Sequence, residues 1–446
     1  MKTRMRGTPV TIHLLIGLLL ATAVLAADEV PVSLNQALEL AAQRNPELLA
    51  QRARTEAEAA RAQGVKKAIW PRLSLSTGWS RTDTPSLVFA QKLNAGEFTQ
   101  DDFAIDQLND PAALSHLTTT LAAEVPVDVF GKVKARAEAQ SSVERASGAV
   151  LDEGVQDLRL RVVEAYRRAA LAQRVVDVAE RALASARGRE ADVQVRVAEG
   201  AALEADLLRI RARRRQREAE LAERRADREI AGAMLSRALG AEPGVSYQAA
   251  ELPPPPPPLY GDGPSWSARA LAARPALRAA HERLGGLTSS VRAEERSRWP
   301  DLAAWGQVQD DRNGAGSNQS GAFGVLLRWN VFDPTRGRRV ATASAEARVA
   351  ELEARAAADQ VRLEAETAWR RARAARERYA AAAGGAEEGR EALRVVQERR
   401  QQGMATLTDE LETEAASLLA ELEELRAASD AAIADAALLR AAGELR

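Results

Sequence analysis

Most side chains able to act as nucleophiles, general bases or soft metal ligands are scarce in this sequence. The 446 residues include no cysteine and three histidines, His13, His116 and His281. Thiol nucleophiles, thiolate metal sites and disulfides are therefore excluded. No histidine stands in an HExxH-type spacing, and there is neither a Gly-rich phosphate cradle nor a nucleophile elbow. Carboxylates are plentiful, with 63 Asp and Glu against 62 Lys and Arg, but they are spread over stretches where a solvated helix face accounts for them. The chain does not read as an enzyme, and no cofactor or metal is expected. The Arg-rich stretch 209–228 is interrupted by Glu218, Glu220, Glu223 and Asp227, and the formal net charge is −1. A nucleic-acid partner is not indicated. One short pattern remains. Arg196-x-x-x-Gly200 with Asp206 downstream has a twin, Arg399-x-x-x-Gly403 with Asp409 downstream. Glycine there can end a helix, and a carboxylate suits the first turn of the next one.

The twin belongs to a larger duplication. Arg44-Asn45-Pro46-Glu47-Leu48 recurs as Ala273-Arg274-Pro275-Ala276-Leu277, and Trp70-Pro71-Arg72-Leu73 as Trp299-Pro300-Asp301-Leu302, both offset by 229 (275 − 46 and 300 − 71). Further on, Val129-Phe130 matches Val331-Phe332, and Ala165-Tyr166-Arg167-Arg168-Ala169 matches Ala368-Trp369-Arg370-Arg371-Ala372. The tips match each other, and Leu239-Gly240 matches Ala442-Gly443, at offsets of 202 or 203 (331 − 129 and 403 − 200). About 27 extra residues (229 − 202) therefore lie between Trp70 and Val129. The chain divides into a secretory signal at 1–26, a first copy at 27–242, a linker at 243–264 containing the run Pro253 to Pro258, and a second copy at 265–446. A polyproline run is a stiff spacer.

The signal rests on Lys2, Arg4 and Arg6, an apolar run from Ile12 to Leu25, and small side chains about Ala26. No later apolar run reaches spanning length, so any membrane passage has to be made by strands. The absence of cysteine also means that no lipid-attachment cysteine follows the signal.

Within each copy the period changes twice. Ser33 can cap a helix beginning at Leu34, Pro46 suits a first turn, and Trp70-Pro71 stops the helix. Alternation follows. Leu73, Leu75, Thr77 and Trp79 share one face, and so do Leu117, Leu121, Val125 and Val129. In the second copy Phe323, Val325, Leu327, Trp329 and Val331 alternate, and Leu302 to Asp310 makes a weaker strand. Such segments fit barrel strands, and a soluble antiparallel sheet would alternate alike. Arg81 to His116 reads as a long surface loop and Asp311 to Ser320 as a tight turn. Two proline-free stretches follow, Lys132 to Glu199 and Gly337 to Gln402, each about 100 Å long as helix. Val155, Leu158, Val162, Ala165, Ala169, Ala172, Val176, Ala179, Leu183 and Ala186 form a heptad seam.

Four strands cannot close a barrel, and open edges cannot face lipid, so several protomers would have to pool them. Asn45-Pro46-Glu47-Leu48, Trp70-Pro71-x-Leu73, Val331-Phe332-Asp333 and the two Arg-x-x-x-Gly tips, in this order and duplicated, resemble the TolC-type outer-membrane efflux proteins. The resemblance implies a mostly α chain with membrane β-barrel strands: a duplicated helix–strand–strand–helix unit, long periplasmic coiled-coil helices, and four strands per protomer in a trimeric 12-stranded barrel. It implies a homotrimer in the outer membrane of a Gram-negative bacterium, with its helices in the periplasm. There it would be the exit duct of a tripartite efflux or type I secretion system, partnered by a periplasmic adaptor and an inner-membrane pump of RND or ABC type. It further implies a periplasmic gate at Asp409 and Glu412, with Asp206 the first-copy counterpart, and adaptor contact at Arg196, Gly200, Arg399 and Gly403. Ala405 and Thr406 stand where the family places a basic partner. The rival reading is a periplasmic coiled-coil scaffold or adaptor without a pore. The exported substrate is not legible.

Overall fold

The computed structural model describes residues 29–314 and 316–445; the expected signal at 1–26 lies outside them. The chain forms two compact units, and each takes segments from both sequence copies.

One unit contains residues 29–46, 158–258 and 372–436. Here β1 (Glu29–Val32) pairs in parallel with β4 (Ser246–Ala249), a ladder the sequence did not suggest. Helix α1 (Leu34–Arg44) starts on a reciprocal cap: the Gln36 amide donates to Ser33 Oγ at 3.3 Å, and the Ser33 amide donates to Gln36 Oε1 at 2.9 Å. The unit also holds the distal parts of α5 (Lys132–Ala198) and α9 (Arg336–Gln401). Their return helices are α6 (Glu204–Leu239) and α10 (Leu407–Ala441), the last of which continues into the other unit. The predicted heptad seam of α5 is carried by Leu158, Val162, Ala169, Val176, Leu183 and Ala186, all buried; Val176 and Leu183 pack with Leu221 of α6.

The proline run is strapped down through its carbonyls, while the rings of Pro254, Pro256, Pro257 and Pro258 stay exposed. The Arg167 guanidinium, itself buried, donates to the Pro253 carbonyl at 2.7 Å, and Arg376 donates to the Pro256 carbonyl and to Asp435. Proline carbonyls have no competing amide of their own, so arginine is a natural partner for such a segment.

The other unit contains residues 47–157, 259–371 and 437–445. Its helices are most of α2 (Pro46–Lys66), α7 (Gly263–Ala273), α8 (Pro275–Arg296) and the proximal parts of α5 and α9. Its sheet has four antiparallel strands in the order β2 (Arg72–Thr82), β3 (Leu114–Val127), β5 (Asp301–Asn313), β6 (Ser317–Arg328). The weak fourth strand is longer than the pattern indicated, so the turn shrinks to 314–316; Trp329 and Val331 fall beyond β6. The long loop also differs from expectation. It folds into α3 (Pro85–Asn94), a 3₁₀ turn at Gln100–Phe103 and α4 (Ile105–Asn109), with Phe89, Phe98 and Phe103 packed edge to face. The half-buried Phe89 and Phe98 rings give the segment a small local core, with the exposed Phe103 packed on its edge.

The duplication persists at atomic level. Gly240 (φ +71°) and Gly443 (φ +77°) end α6 and α10, and a Cβ on either would meet backbone, Arg44 O at 2.6 Å and Ala273 O at 3.0 Å. Beside them the matched side chains Asn45 and Arg274 donate to matched carbonyls, Ala238 O at 3.1 Å and Ala441 O at 3.0 Å. Arg274 is buried between Glu153 and Glu364, each at 2.8 Å.

Candidate functional site

Both tips are built by one device. At the end of α5 the Ala201 amide donates to Arg196 O at 2.7 Å and the Gly200 amide to Val197 O at 3.0 Å. At the end of α9 the Met404 amide donates to Arg399 O at 2.8 Å and the Gly403 amide to Arg400 O at 3.0 Å. Gly200 (φ +74°) and Gly403 (φ +75°) supply the left-handed residue this closure requires. The spacing Arg-x-x-x-Gly is thus the spacing of a helix C-terminal motif, with arginine in the last turn where a cation is favoured. A Cβ at either glycine would meet open space. The Arg196 and Arg399 side chains are exposed.

The second turns differ. Thr406 and Asp409 form a reciprocal cap on α10: the Thr406 amide and hydroxyl donate to Asp409 Oδ2 at 2.9 and 2.7 Å, and the Asp409 amide donates to Thr406 Oγ1 at 3.1 Å. These bonds hold the Asp409 carboxyl below the usual carboxylate range, so it is charged at any physiological pH. Glu412, one turn on, is exposed and has no partner among the described residues. In the first copy Asp206 lies half-buried, 3.7 Å from Arg209, and no side chain caps α6. Asp206 and Asp409 therefore sit in the first turns of the return helices and Glu412 one turn further along α10, Asp409 committed partly to structure and Glu412 free.

Sequence reasoning missed Glu410. It is 6% exposed, paired with Arg189 of α5 at 3.2 Å and with Arg400 of α9. Arg189 also holds Glu414, whose Oε1 accepts from Ser185 Oγ at 3.0 Å. The first turns of α10 are thereby clamped to both long helices. The twin of Glu410 is Leu207, buried in an apolar cluster with Val193 and Ile210. A carboxylate standing where the other copy has a core leucine was the available signal.

The strand-to-helix junctions are also fixed by carboxylates. Asp128 accepts from the Val133 and Lys134 amides at 3.1 and 2.7 Å. Asp333 accepts from the Thr335 hydroxyl at 2.7 Å and amide at 2.9 Å, and these bonds, with a lesser part from its Arg339 pairing, hold its carboxyl down at about 2. Each long helix leaves the sheet under such a cap.

The sheet's two faces are chemically distinct. Register places Leu75 opposite Leu121, Leu121 opposite Val308, Leu302 opposite Leu327 and Ala304 opposite Val325, all on one face. This face is apolar and solvent-exposed, with Phe323 at 91%, Val325 at 74%, Leu75 at 72% and Trp79 at 68%. The other face carries Ser74, Ser76, Thr118, Thr120, Gln307, Gln309 and Ser320. An exposed apolar band of this extent marks contact with lipid or protein. Among the described residues no helix is long and apolar enough to cross a membrane, and no three His, Asp or Glu are placed to hold a metal.

Long paired helices joined to a strand bundle with one greasy and one polar face define a membrane channel class. Residues 37–241 and 266–444 match the outer membrane efflux protein family, and the chain belongs to that family. The two matched stretches coincide with the two sequence copies. Among solved structures, the chain is similar to the outer-membrane channel OprN (21% identity, 92% of this chain and 90% of that chain, TM-score 0.72). It is also similar to the Campylobacter jejuni CmeC outer membrane channel (17%, 92% and 86%, TM-score 0.74) and to the open state of the Neisseria gonorrhoeae MtrE outer membrane channel (19%, 95% and 94%, TM-score 0.71). No curated protein matches the chain by sequence. Family and fold favour the outer-membrane channel over the pore-free scaffold.

Proposed function

We propose that this chain is the outer-membrane exit duct of a tripartite export system. Three copies pool their sheets into one closed barrel of twelve strands, apolar face to lipid and polar face to the lumen. The observation that carries this is the sheet itself. It has one contiguous exposed apolar face, and β2 and β6 stand at its two edges. In hydrocarbon such edges have to be paired, and partner protomers provide the strands. Duct length comes from α5 and α9. Their tips, with Arg196, Gly200, Arg399 and Gly403, face a periplasmic adaptor, and through it an inner-membrane pump of RND or ABC type supplies the substrate.

At the periplasmic entrance Asp409 and Glu412, repeated by threefold symmetry, make two carboxylate rings that prefer cations, with Asp206 contributing from the first copy. The test is detergent extraction followed by planar-bilayer recording. The mature protein should leave the outer membrane only with detergent, as a trimer, and form cation-preferring channels. Asp409→Ala with Glu412→Ala should raise conductance and reduce that preference. A protein found soluble in the periplasm would refute the duct; unchanged selectivity in the double variant would refute the gate.

A further inference from the structure

The extra residues of the first copy are not a floppy extracellular tether. The segment 83–113 joins β2 to β3 at the sheet end opposite the helix junctions, and it turns back onto the polar face. Gln91 Nε2 donates to Ser80 Oγ at 3.3 Å, and Asn318 Nδ2 donates to the Asn94 carbonyl at 3.2 Å. Ser80 and Asn318 both lie on the face that carries Ser76 and Gln307, so the segment spans from β2 to β6 across that face. Gly96 (φ +75°) sits against the Asn318 side chain, where a Cβ would be at 3.6 Å.

The segment is also internally braced. Lys92 Nζ pairs with Asp102 at 2.6 Å, and the Thr99 amide donates to Asp102 at 2.8 Å, which lowers the Asp102 carboxyl to about 2. Val88 and Ala95 are buried. At the same end of the same face His116 and Asp311 are buried, bonded at 2.8 Å, and Thr118 and Gln309 add bonds to Asp311 at 3.0 and 2.7 Å. Ser74, Ser76 and Gly78, nearer the helix junctions on that face, remain exposed. Glu97 of the segment also lies against Gly316 of the second hairpin, where a Cβ would meet its carboxylate.

We infer that residues 83–113 form a second constriction, seated inside the extracellular mouth of the duct and distinct from the periplasmic entrance. The inference rests on the barrel reading above, which turns the polar face inward. Three copies would place three braced segments in one mouth. The segment holds six acidic residues and one lysine. Lys92 is spent on Asp102, leaving Asp83, Asp101, Asp106 and Asp110 exposed and without an ion pair among the described residues. The constriction is therefore acidic and favours cations and neutral solutes over anions.

The natural absence of cysteine gives a clean test. Asp106→Cys in the full chain, labelled from the extracellular side with a polymer-bearing maleimide, should cut single-channel conductance to about half or less, the outcome for a pore-lining position. Complete labelling with unchanged conductance would overturn the inference. A second variant replaces residues 84–112 with a Gly-rich turn like 314–316; it should form trimers of higher conductance, and trimers of unaltered conductance would again overturn it. Wild-type protein that forms no channel at all would instead refute the barrel reading.

Discussion

Arg189→Ala isolates the clamp on the entrance helix. The Arg189 side chain is 13% exposed and reaches the side chains of Glu410 (8%) and Glu414 (17%), so its removal weakens the pairing of two largely desolvated carboxylates. Breaking a buried pair by removing one partner costs about 3–5 kcal/mol. Here Arg400 still neutralises Glu410 and Ser185 still bonds Glu414, so the cost falls to the bottom of that range or just below it, about 2–3 kcal/mol. At about 1.4 kcal/mol per decade, local opening of the first turns of α10 should rise by roughly thirtyfold to a hundredfold. Amide hydrogen exchange reads this directly in residues 407–417, and protection over α7 and α8 should not change. Because the pairs are mostly out of water, the difference should persist at high salt. Arg189→Ala with unchanged protection of α10, or with loosening spread evenly through the protein, would refute the clamp. Single-channel recordings on the same variant then show whether a looser α10 raises conductance.

Gly240→Ala should be far more damaging than Gly200→Ala. Both glycines have positive φ, worth about 1–2 kcal/mol against a side chain, but only at Gly240 would the Cβ also drive into the Arg44 carbonyl, adding a further ~1–3 kcal/mol; thermal unfolding in detergent ranks the two. Arg274→Ala removes the Ala441 O donor and leaves Glu153 and Glu364 to Arg440 alone, and should cost about 3 kcal/mol, the low end for a broken buried pair, in the same assay. The Lys92–Asp102 brace has a defined pH window. The folded Asp102 carboxyl lies at about 2 against an ordinary 3.8, so its contribution is complete above about pH 4 and lost as pH falls through 2. Exchange protection of α3 should fall over that window in the native chain and be low at all pH in Asp102→Asn.

The duplicated scaffold was legible because it is written in punctuation. Pro46 and Pro275 open helices, Pro71 and Pro300 end them, and Gly200 and Gly403 turn the tips. Each acts through local backbone geometry that sequence displays directly. The heptad seam of α5 was legible for the same reason. The β1–β4 ladder was not, since four-residue strands more than two hundred positions apart leave no period to detect. The loop 83–113 hid α3 and α4 because its order comes from a three-ring cluster and contacts with the sheet rather than from periodicity. The clamp at Glu410 depends on Arg189, 221 positions away, and only the mismatch with Leu207 hinted at it. Asp409 was found through its place after the tip glycine, while its cap with Thr406 shows how a helix start and an entrance carboxylate can be one residue.

Each compact unit draws on both halves of the chain, and this constrains how the protein can be made. The unit holding the sheet is closed by residues after Ala436: Arg440 reaches Asp157 and Glu153, Glu444 pairs with Arg269, and the Gly443 carbonyl accepts from Gln156 at 2.9 Å. The first half therefore cannot complete either unit while the second is still crossing the inner membrane. The unit holding the sheet must wait for residues 437–445 to arrive, and its greasy strand face stays uncovered beyond that, until it meets lipid. Such a chain depends on being shielded in transit, and truncation by even one turn at its C-terminus should strand it there rather than yield a shortened but functional protein.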